Sequence, residues 1–468
     1  MNKHLIYMLA LCSISLVGCK DENDPSEFDP SQPVVFTDFT PKEGPVRTRM
    51  YIMGSNFGKD LSKIHINIGG QEAMTIGSDG KKLYCMVPKR AYDGNVSVRI
   101  DGKNGETIAD YTFEESFNYE ARTVVGTLLR KVDEDGNSAF QDGSFDGEGS
   151  CPSNDWMVFD PKPSENGDQI LFSSNYYDGF RELNLTQRYV KRLFPRTQYA
   201  KMVSFTFTAD GDTLLFPDDN GHGADNTAPN IYYALRSEQF RKIRAYNYGY
   251  CSYGCISMKD GSVFYSSWND GAIYKMQRAN EILPNIDINP IKCFTLTAIG
   301  GGSAHTRLLL HPSEKYMYVF APQRGAIMRS DYNEKTKLFD TPRVIAGSLS
   351  SKGCAEGVGN VARFEEPWAG IFVKNREYEE AGKKELYDFY FSDDVNHCIW
   401  KLTPEGVASM VAGRSNYNAD KKYTGYVDGA PLTEARFNRP TSLAYDAEQE
   451  IFYIGDINNK GIRYLTTE

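Results

Sequence analysis

The sequence predicts an all-β chain in two parts, a small β-sandwich followed by a β-propeller. Three observations carry this. Aromatic residues make up 13% of the 468 positions, with 30 tyrosines and 26 phenylalanines beside 41 glycines, a balance that favours strands and tight turns over helices. From Pro33 to Tyr119 short apolar-polar alternations are separated by turn residues, the pattern of a sandwich. Beyond Tyr119 one segment recurs, and self-similarity at a regular spacing is the mark of a repeat architecture.

The chain opens Met1-Asn2-Lys3-His4, followed by an apolar run from Leu5 to Val17 broken only by Cys12 and two serines. A basic start and a short apolar stretch make a secretory signal, too short for a permanent membrane span. Leu16-Val17-Gly18-Cys19 resembles a bacterial lipobox. That resemblance implies cleavage before Cys19 and its acylation, each buried CH₂ adding roughly 0.8 kcal/mol of membrane affinity. Lys20-Asp21-Glu22-Asn23-Asp24 is similar to the acidic export tag of Bacteroidetes surface lipoproteins. The alternative is a plain solvated leader, charged and without apolar residues. Residues 1–18 are therefore expected to be a lipoprotein signal peptide and 19–30 a flexible acidic leader.

A net charge of −10 without basic clusters argues against nucleic acid and anionic membrane surfaces as partners. Of nine cysteines, Cys85, Cys151, Cys251, Cys255, Cys293, Cys354 and Cys398 follow Cys19. An odd number scattered over so long a chain is not a disulfide framework. Cys251 and Cys255 could bridge locally; buried free thiols are the competing reading.

In the first part, Met50-Tyr51-Ile52-Met53, Ile64-His65-Ile66-Asn67-Ile68 and Val96-Ser97-Val98-Arg99-Ile100 read as strands. Thr40-Pro41, Gly44, Gly54-Ser55-Asn56-Phe57-Gly58, Gly69-Gly70, Val87-Pro88, Gly94 and Phe117-Asn118-Tyr119 follow in an order that resembles an IPT/TIG domain, an immunoglobulin-like sandwich, over residues 31–119. No catalytic constellation appears there, so a spacer or a binding arm is expected.

In the second part, Ala435-Arg436-Phe437-Asn438-Arg439-Pro440 leads to Ile451-Phe452-Tyr453-Ile454-Gly455-Asp456, and Ala362-Arg363-Phe364-Glu365-Glu366-Pro367 leads to Phe389-Tyr390-Phe391-Ser392-Asp393. Gly143-Ser144-Phe145-Asp146-Gly147 opens a weaker copy leading to Trp156. These units resemble NHL repeats, four-stranded propeller blades. Positions 154, 202, 253, 305, 367 and 440, each just before an inner strand, lie 48, 51, 52, 62 and 73 residues apart, which gives a six-bladed NHL-type propeller over 120–468. Inner strands are expected at Val203–Thr208, Cys255–Met258 and Arg307–Leu310. The chain ends on a third strand, so Thr123-Val124-Val125-Gly126 is expected to supply the outer strand and close the ring, which removes exposed sheet edges.

On that geometry the loops entering the inner strands and those between second and third strands share one face. They carry Trp156, Tyr253, His305, Arg307 and Trp368, and Tyr176, Tyr177, Trp268, Asp270 and His397. Flat aromatic rings stack on sugar rings, and neighbouring polar groups bond hydroxyls with strong discrimination; the competing reading makes the tryptophans blade-packing residues. Asp393, Asp456, Asn396 and Asn458 read as turn-formers. There is no G-x-S-x-G, H-E-x-x-H or P-loop, and six histidines without a spaced pair, His222, His305 and His397 among them, argue against a His-rich metal site. No cofactor is implied; a divalent cation held by carboxylates stays open.

Lipobox, acidic leader, IPT/TIG domain and NHL propeller in this order resemble surface lipoproteins of Bacteroidetes that accompany starch-utilisation-type glycan importers. The resemblance implies an outer-membrane, lipid-anchored protein that binds polysaccharide or oligosaccharide without catalysis and assists uptake by a TonB-dependent importer. The alternatives are a metal-dependent propeller enzyme of lactonase or lyase type, and a protein-docking module of the importer.

Overall fold

The computed structural model describes residues 27–468 apart from 177, 198, 221–227, 278–289, 298–301, 303–304, 321 and 415–422. The expected signal peptide, Cys19 and most of the expected leader lie outside the described residues. The chain is all-β, its one α-helix among the described residues being the short Arg376–Glu380. It divides into two compact units, residues up to Arg122 together with Glu468, and Thr123–Thr467.

The first unit is a seven-stranded arrangement beside a short parallel pair, Glu43–Gly44 with Asn118–Tyr119. Its strand Ile64–Ile68 alternates buried and half-buried residues as the period-2 pattern requires. The inward set, Met50, Ile52, Ile64, Ile66, Ile68, Leu83, Val96, Val98 and Ile100, forms one core with Phe39, Phe57 and Phe117. Two motif glycines are needed for space. A Cβ on Gly54 would lie 1.9 Å from the carbonyl oxygen of Val35, and one on Gly94, whose φ is +66°, would lie 1.9 Å from that of Phe117.

The second unit is a six-bladed propeller of antiparallel sheets. Inner strands run Trp156–Phe159, Thr206–Phe207, Cys255–Ser257, Arg307–Leu310, Pro367–Lys374 and Pro440–Asp446. The strand in blade two is shorter than expected, with an isolated bridge from Met202 to Asp218 just before it. The ring closes as the sequence predicts: Thr123–Arg130 pairs antiparallel with Gly461–Thr467, from Thr123 opposite Thr467 to Arg130 opposite Gly461.

Each junction between neighbouring blades holds its own hydrophobic cluster. Phe172, Phe180 and Phe194 of blade one meet Phe205, Phe207 and Phe216 of blade two. Phe264 meets Met317 and Met328 between blades three and four, and Tyr318 meets Phe389 and Phe391 between four and five. The core is thus a ring of wedges, and the blade edges near the axis are polar. There Ser204 Oγ donates to Tyr253 O at 3.1 Å, Ser266 Oγ to Thr306 O at 3.1 Å, Ser392 Oγ to Thr441 O at 3.0 Å and Ser442 Oγ to Asn154 O at 2.6 Å. Each hydroxyl satisfies a carbonyl of the next blade at or just before its inner strand.

Candidate functional site

Strand register fixes which loops share a rim. Trp156 lies opposite Ser174, Arg307 opposite Phe320, Pro367 opposite Asp393 and Pro440 opposite Asp456. The start of each inner strand therefore stands beside the end of the second strand and the turn that follows it, so the entering loops and second-to-third turns occupy one face of the propeller.

A repeated carboxylate builds this rim. Asp393 accepts from the backbone N–H of Glu365 and Glu366, both at 2.9 Å, and from Asn396 Nδ2 at 2.7 Å. Asp456 accepts from Asn438 N at 2.7 Å and Asn459 Nδ2 at 2.6 Å. Asp218 accepts from Lys201 N at 2.6 Å and Ala200 N at 3.0 Å. The carboxylate at the end of the second strand ties down the loop entering the inner strand, so these residues are turn-formers. In blade six the amide partner is Asn459, and the Asn458 Nδ2 donates to Asn438 Oδ1 at 3.3 Å.

In blades two and five a second aspartate follows the first, and this one meets a cation. Asp394 pairs with Arg439, whose Nε donates at 2.8 Å. Asp219 takes Lys201 Nζ at 2.7 Å and the hydroxyl of Tyr176 at 2.6 Å on Oδ2, and the thiol of Cys251 at 3.2 Å on Oδ1. Burial works against the Asp219 charge, but donors from Lys201, Tyr176, Cys251 and Tyr253 outweigh it and hold the carboxyl down at about 2. Burial and the bond to Asp219 push the Tyr176 hydroxyl up to about 12.

Around this hub stands an aromatic wall. Tyr176 and Trp268 pack on the small cluster of Val203, Cys251 and Tyr253. The ring of His305 stacks on Tyr253 with centroids 4.2 Å apart and planes 12° from parallel, and burial together with the Arg307 charge lowers the His305 pKa. The Lys201 ammonium lies 5.0 Å from the Tyr176 ring centroid. Tyr176, Tyr253, Trp268 and His305 are thus brought together, on blades one, three and four.

The remaining expected residues sit elsewhere. Trp156 is buried inside the wedge between blades one and two, where an indole's area finds most cover, so the structure makes it a packing residue. Arg307 is 1% exposed; its Nη1 donates to the carbonyls of Val203 and Tyr253, both at 3.2 Å, and its guanidinium covers the ring of Trp368 at 4.9 Å. Burial pushes Arg307 down to about 10, which leaves it charged at neutral pH, and it braces three blades from within. Trp368 is half-buried against the same wedge as Trp156. Asp270 is taken by the Tyr274 hydroxyl at 2.6 Å and Lys292 Nζ at 3.1 Å on its own blade. His397 Nδ1 accepts from Arg439 N at 3.1 Å. Tyr177, His222 and Cys19, where lipidation is expected, lie outside the described residues.

Sequence reasoning missed Asp219, Lys201 and Asp155. Asp155 is buried and accepts from Tyr176 N at 2.7 Å and Asn175 Nδ2 at 3.1 Å, burial raising its pKa. A signal for Asp219 was present, since Phe216-Pro217-Asp218-Asp219 repeats the pattern of Phe391-Ser392-Asp393-Asp394. Among the described residues no three His, Cys, Asp or Glu side chains converge so as to hold a metal ion, and all seven described cysteines are free thiols, Cys251 and Cys255 included.

Comparison with known proteins follows the same division. The IPT/TIG domain family matches residues 33–116. A crystal structure from Bacteroides thetaiotaomicron, described as an auxiliary nutrient binding protein, is 35% identical over 95% of this chain and 100% of that one, with a TM-score of 0.68. A second, from Bacteroides ovatus and described in the same words, is 31% identical over 94% and 100%, with a TM-score of 0.77. This chain belongs to their family. A further Bacteroides thetaiotaomicron structure, provisionally described as a phosphatase, is 28% identical over 95% of this chain and 99% of that one, with a TM-score of 0.68. No curated protein matches the chain. Family membership extends over the propeller as well as the sandwich, so the rim described above belongs to the shared part of the fold.

Proposed function

We propose that the protein binds an oligosaccharide or polysaccharide, without catalysis, on the propeller rim. The observation that carries the reading is the half-buried wall of Tyr176, Trp268 and His305 beside the fixed Asp219–Lys201 pair. Aromatic faces offer stacking area, and the ion pair offers donors and acceptors already held in place, which lowers the entropic cost of binding. Two members of the family are described as auxiliary nutrient binding proteins, which agrees with a capture role. The lipobox ending in Cys19 and the acidic leader support a lipid-anchored protein on the outer face of the outer membrane, delivering its ligand to a TonB-dependent importer.

Calorimetric titration of residues 20–468 against plant, microbial and host polysaccharides tests this. Binding that is lost in Trp268→Ala while thermal stability is kept supports the reading and identifies the glycan class. Absence of binding across the panel sinks it. Divalent metal in the purified protein, together with hydrolysis of lactone or phosphate ester probes, would favour the enzyme reading.

A further inference from the structure

The face of the propeller opposite the rim carries a cavity of its own. Lys374, at the end of the inner strand of blade five, lies opposite Tyr387 at the start of the second strand. This end of the blade is separated from the rim by the eight-residue strand Pro367–Lys374, roughly 23 Å. A cavity of about 620 Å³ opens here between blades five and six, within the size range of small-molecule sites. Blade five lines it with Phe372, Tyr387 and Tyr390, and blade six with Tyr445 and Ala447. The rings are held from behind. Phe452 packs on both Tyr390 and Tyr445, with centroids 4.6 and 4.5 Å away. Phe372 and Tyr387 each meet His311 edge-on, at 4.8 and 5.0 Å.

Charge in this cavity is unbalanced. Four carboxylates line it, those of Glu377, Glu379, Asp388 and Glu450, against the two cations Lys374 and Arg376. Lys374 Nζ donates to Glu379 at 2.6 Å, and Arg376 reaches Glu450 at 3.6 Å, so both cations are taken up by exposed carboxylates. Asp388, by contrast, is 2% exposed. Its Oδ2 accepts from Asn375 Nδ2 at 2.9 Å and its Oδ1 from the Tyr378 hydroxyl at 3.0 Å. Both donors are neutral. They orient the carboxylate without balancing its charge, and among the described residues no cation pairs with it. Buried carboxylates are ordinarily paired, and about half of the acceptor sites on this one are unused.

We propose that the cavity between blades five and six binds a small protonated amine. The aromatic side chains cover the apolar body of the ligand and favour a positive charge beside them. The ammonium group donates to the carboxylate of Asp388, which Asn375 and Tyr378 already hold in place, so little ordering is left to be done on binding. The same carboxylates repel anions. The site lies at the other end of the blade from the rim and does not rest on glycan binding there.

Calorimetric titration of the full chain with cyclohexylamine, which is protonated at neutral pH, and with cyclohexanol, its neutral counterpart, tests this. The amine should bind saturably and about tenfold or more tighter than the alcohol. It should also slow hydrogen exchange at residues 374–379 and 447–450, which line the cavity. Asp388→Asn should weaken amine binding by about tenfold or more. Equal affinity for the two probes, no saturable binding of the amine, or slowed exchange confined to the rim overturns the proposal. Should Asp388→Asn fail to fold, Ala447→Trp decides. It fills the cavity from an exposed turn and should abolish amine binding in a folded protein, and binding that persists there also overturns the proposal.

Discussion

At the scale of single residues, the rim separates half-exposed side chains from those packed within the wall. Trp156 and Trp268 look alike in the sequence, each at the edge of a blade, but one is buried in the cluster between blades one and two and the other stands half-exposed beside Tyr176. Trp156→Ala should therefore cost about 3–5 kcal/mol of stability, as large-to-small changes in a packed core do, measured by urea unfolding. Trp268→Ala should leave stability nearly unchanged and weaken glycan binding about tenfold or more, equivalent to about 1.4 kcal/mol. Equal loss of stability in both would contradict the assignment. The adjacent carboxyls Asp218 and Asp219 are pushed in opposite directions. Burial lifts Asp218 to about 6, and donors hold Asp219 at about 2. A raised carboxyl binds its proton more tightly folded than unfolded, so its contribution is fully present below pH 3.8 and disappears as pH rises through about 6. Between pH 4.5 and 6.5 the unaltered protein should lose about 2 kcal/mol that Asp218→Asn does not, read from unfolding free energies at the two pH values. The Asp219 contribution has the other sign, present above pH 3.8 and lost as pH falls through about 2.

At the scale of the element, the blade is a strand set with a clamp. The carboxylates of Asp218, Asp393 and Asp456 tie the entering loop to the end of the second strand. Asp393→Ala leaves the Glu365 and Glu366 amides and the Asn396 side chain without their acceptor, and each buried donor left unpaired costs about 1–3 kcal/mol. The expected result is a loss of about 3 kcal/mol or more, with faster hydrogen exchange at residues 365 and 366; unchanged exchange would show that the clamp is dispensable. These elements were largely legible. Period-2 alternation located Ile64–Ile68 with its bounds, because a half-buried strand writes its two faces into the sequence, and the repeat pattern placed the inner strand Arg307–Leu310. The site was less so. Tyr176, Tyr253, Trp268 and His305 were singled out by type and blade position, but Asp219, paired with Lys201 of its own blade, meets Tyr176 and Cys251 only when blades one, two and three converge, and no local pattern encodes that. Arg307 and Trp156 misled for the converse reason, since a polar or amphipathic residue at a rim position can turn into the wall, where carbonyls or phenylalanines take it up.

At the scale of the molecule, closure joins the two ends of the propeller. The sheet of blade six would expose the backbone of Gly461–Thr467 if Thr123–Arg130 did not pair with it, and a bare edge is both a loss of hydrogen bonds and a template for association. The pairing also reaches sideways: Val125 and Gly429 exchange backbone bonds at 2.8 and 2.9 Å, and the Arg463 guanidinium, fully buried, reaches Val427 O at 2.8 Å and Asp456 Oδ2 at 3.1 Å. Closing strand, outer loop and third strand thus share one network, so the ring should unfold as a unit. A chain of residues 123–467 keeps every partner of that network and should show one cooperative calorimetric transition. A chain beginning at residue 131 lacks only the closing strand, yet should associate and lose cooperativity, because the wedge clusters between blades need both flanks to be covered. If the shorter chain instead melts as a monomer at nearly the same temperature, the wedges alone hold the ring, and the inter-blade phenylalanines rather than the closing strand set its stability.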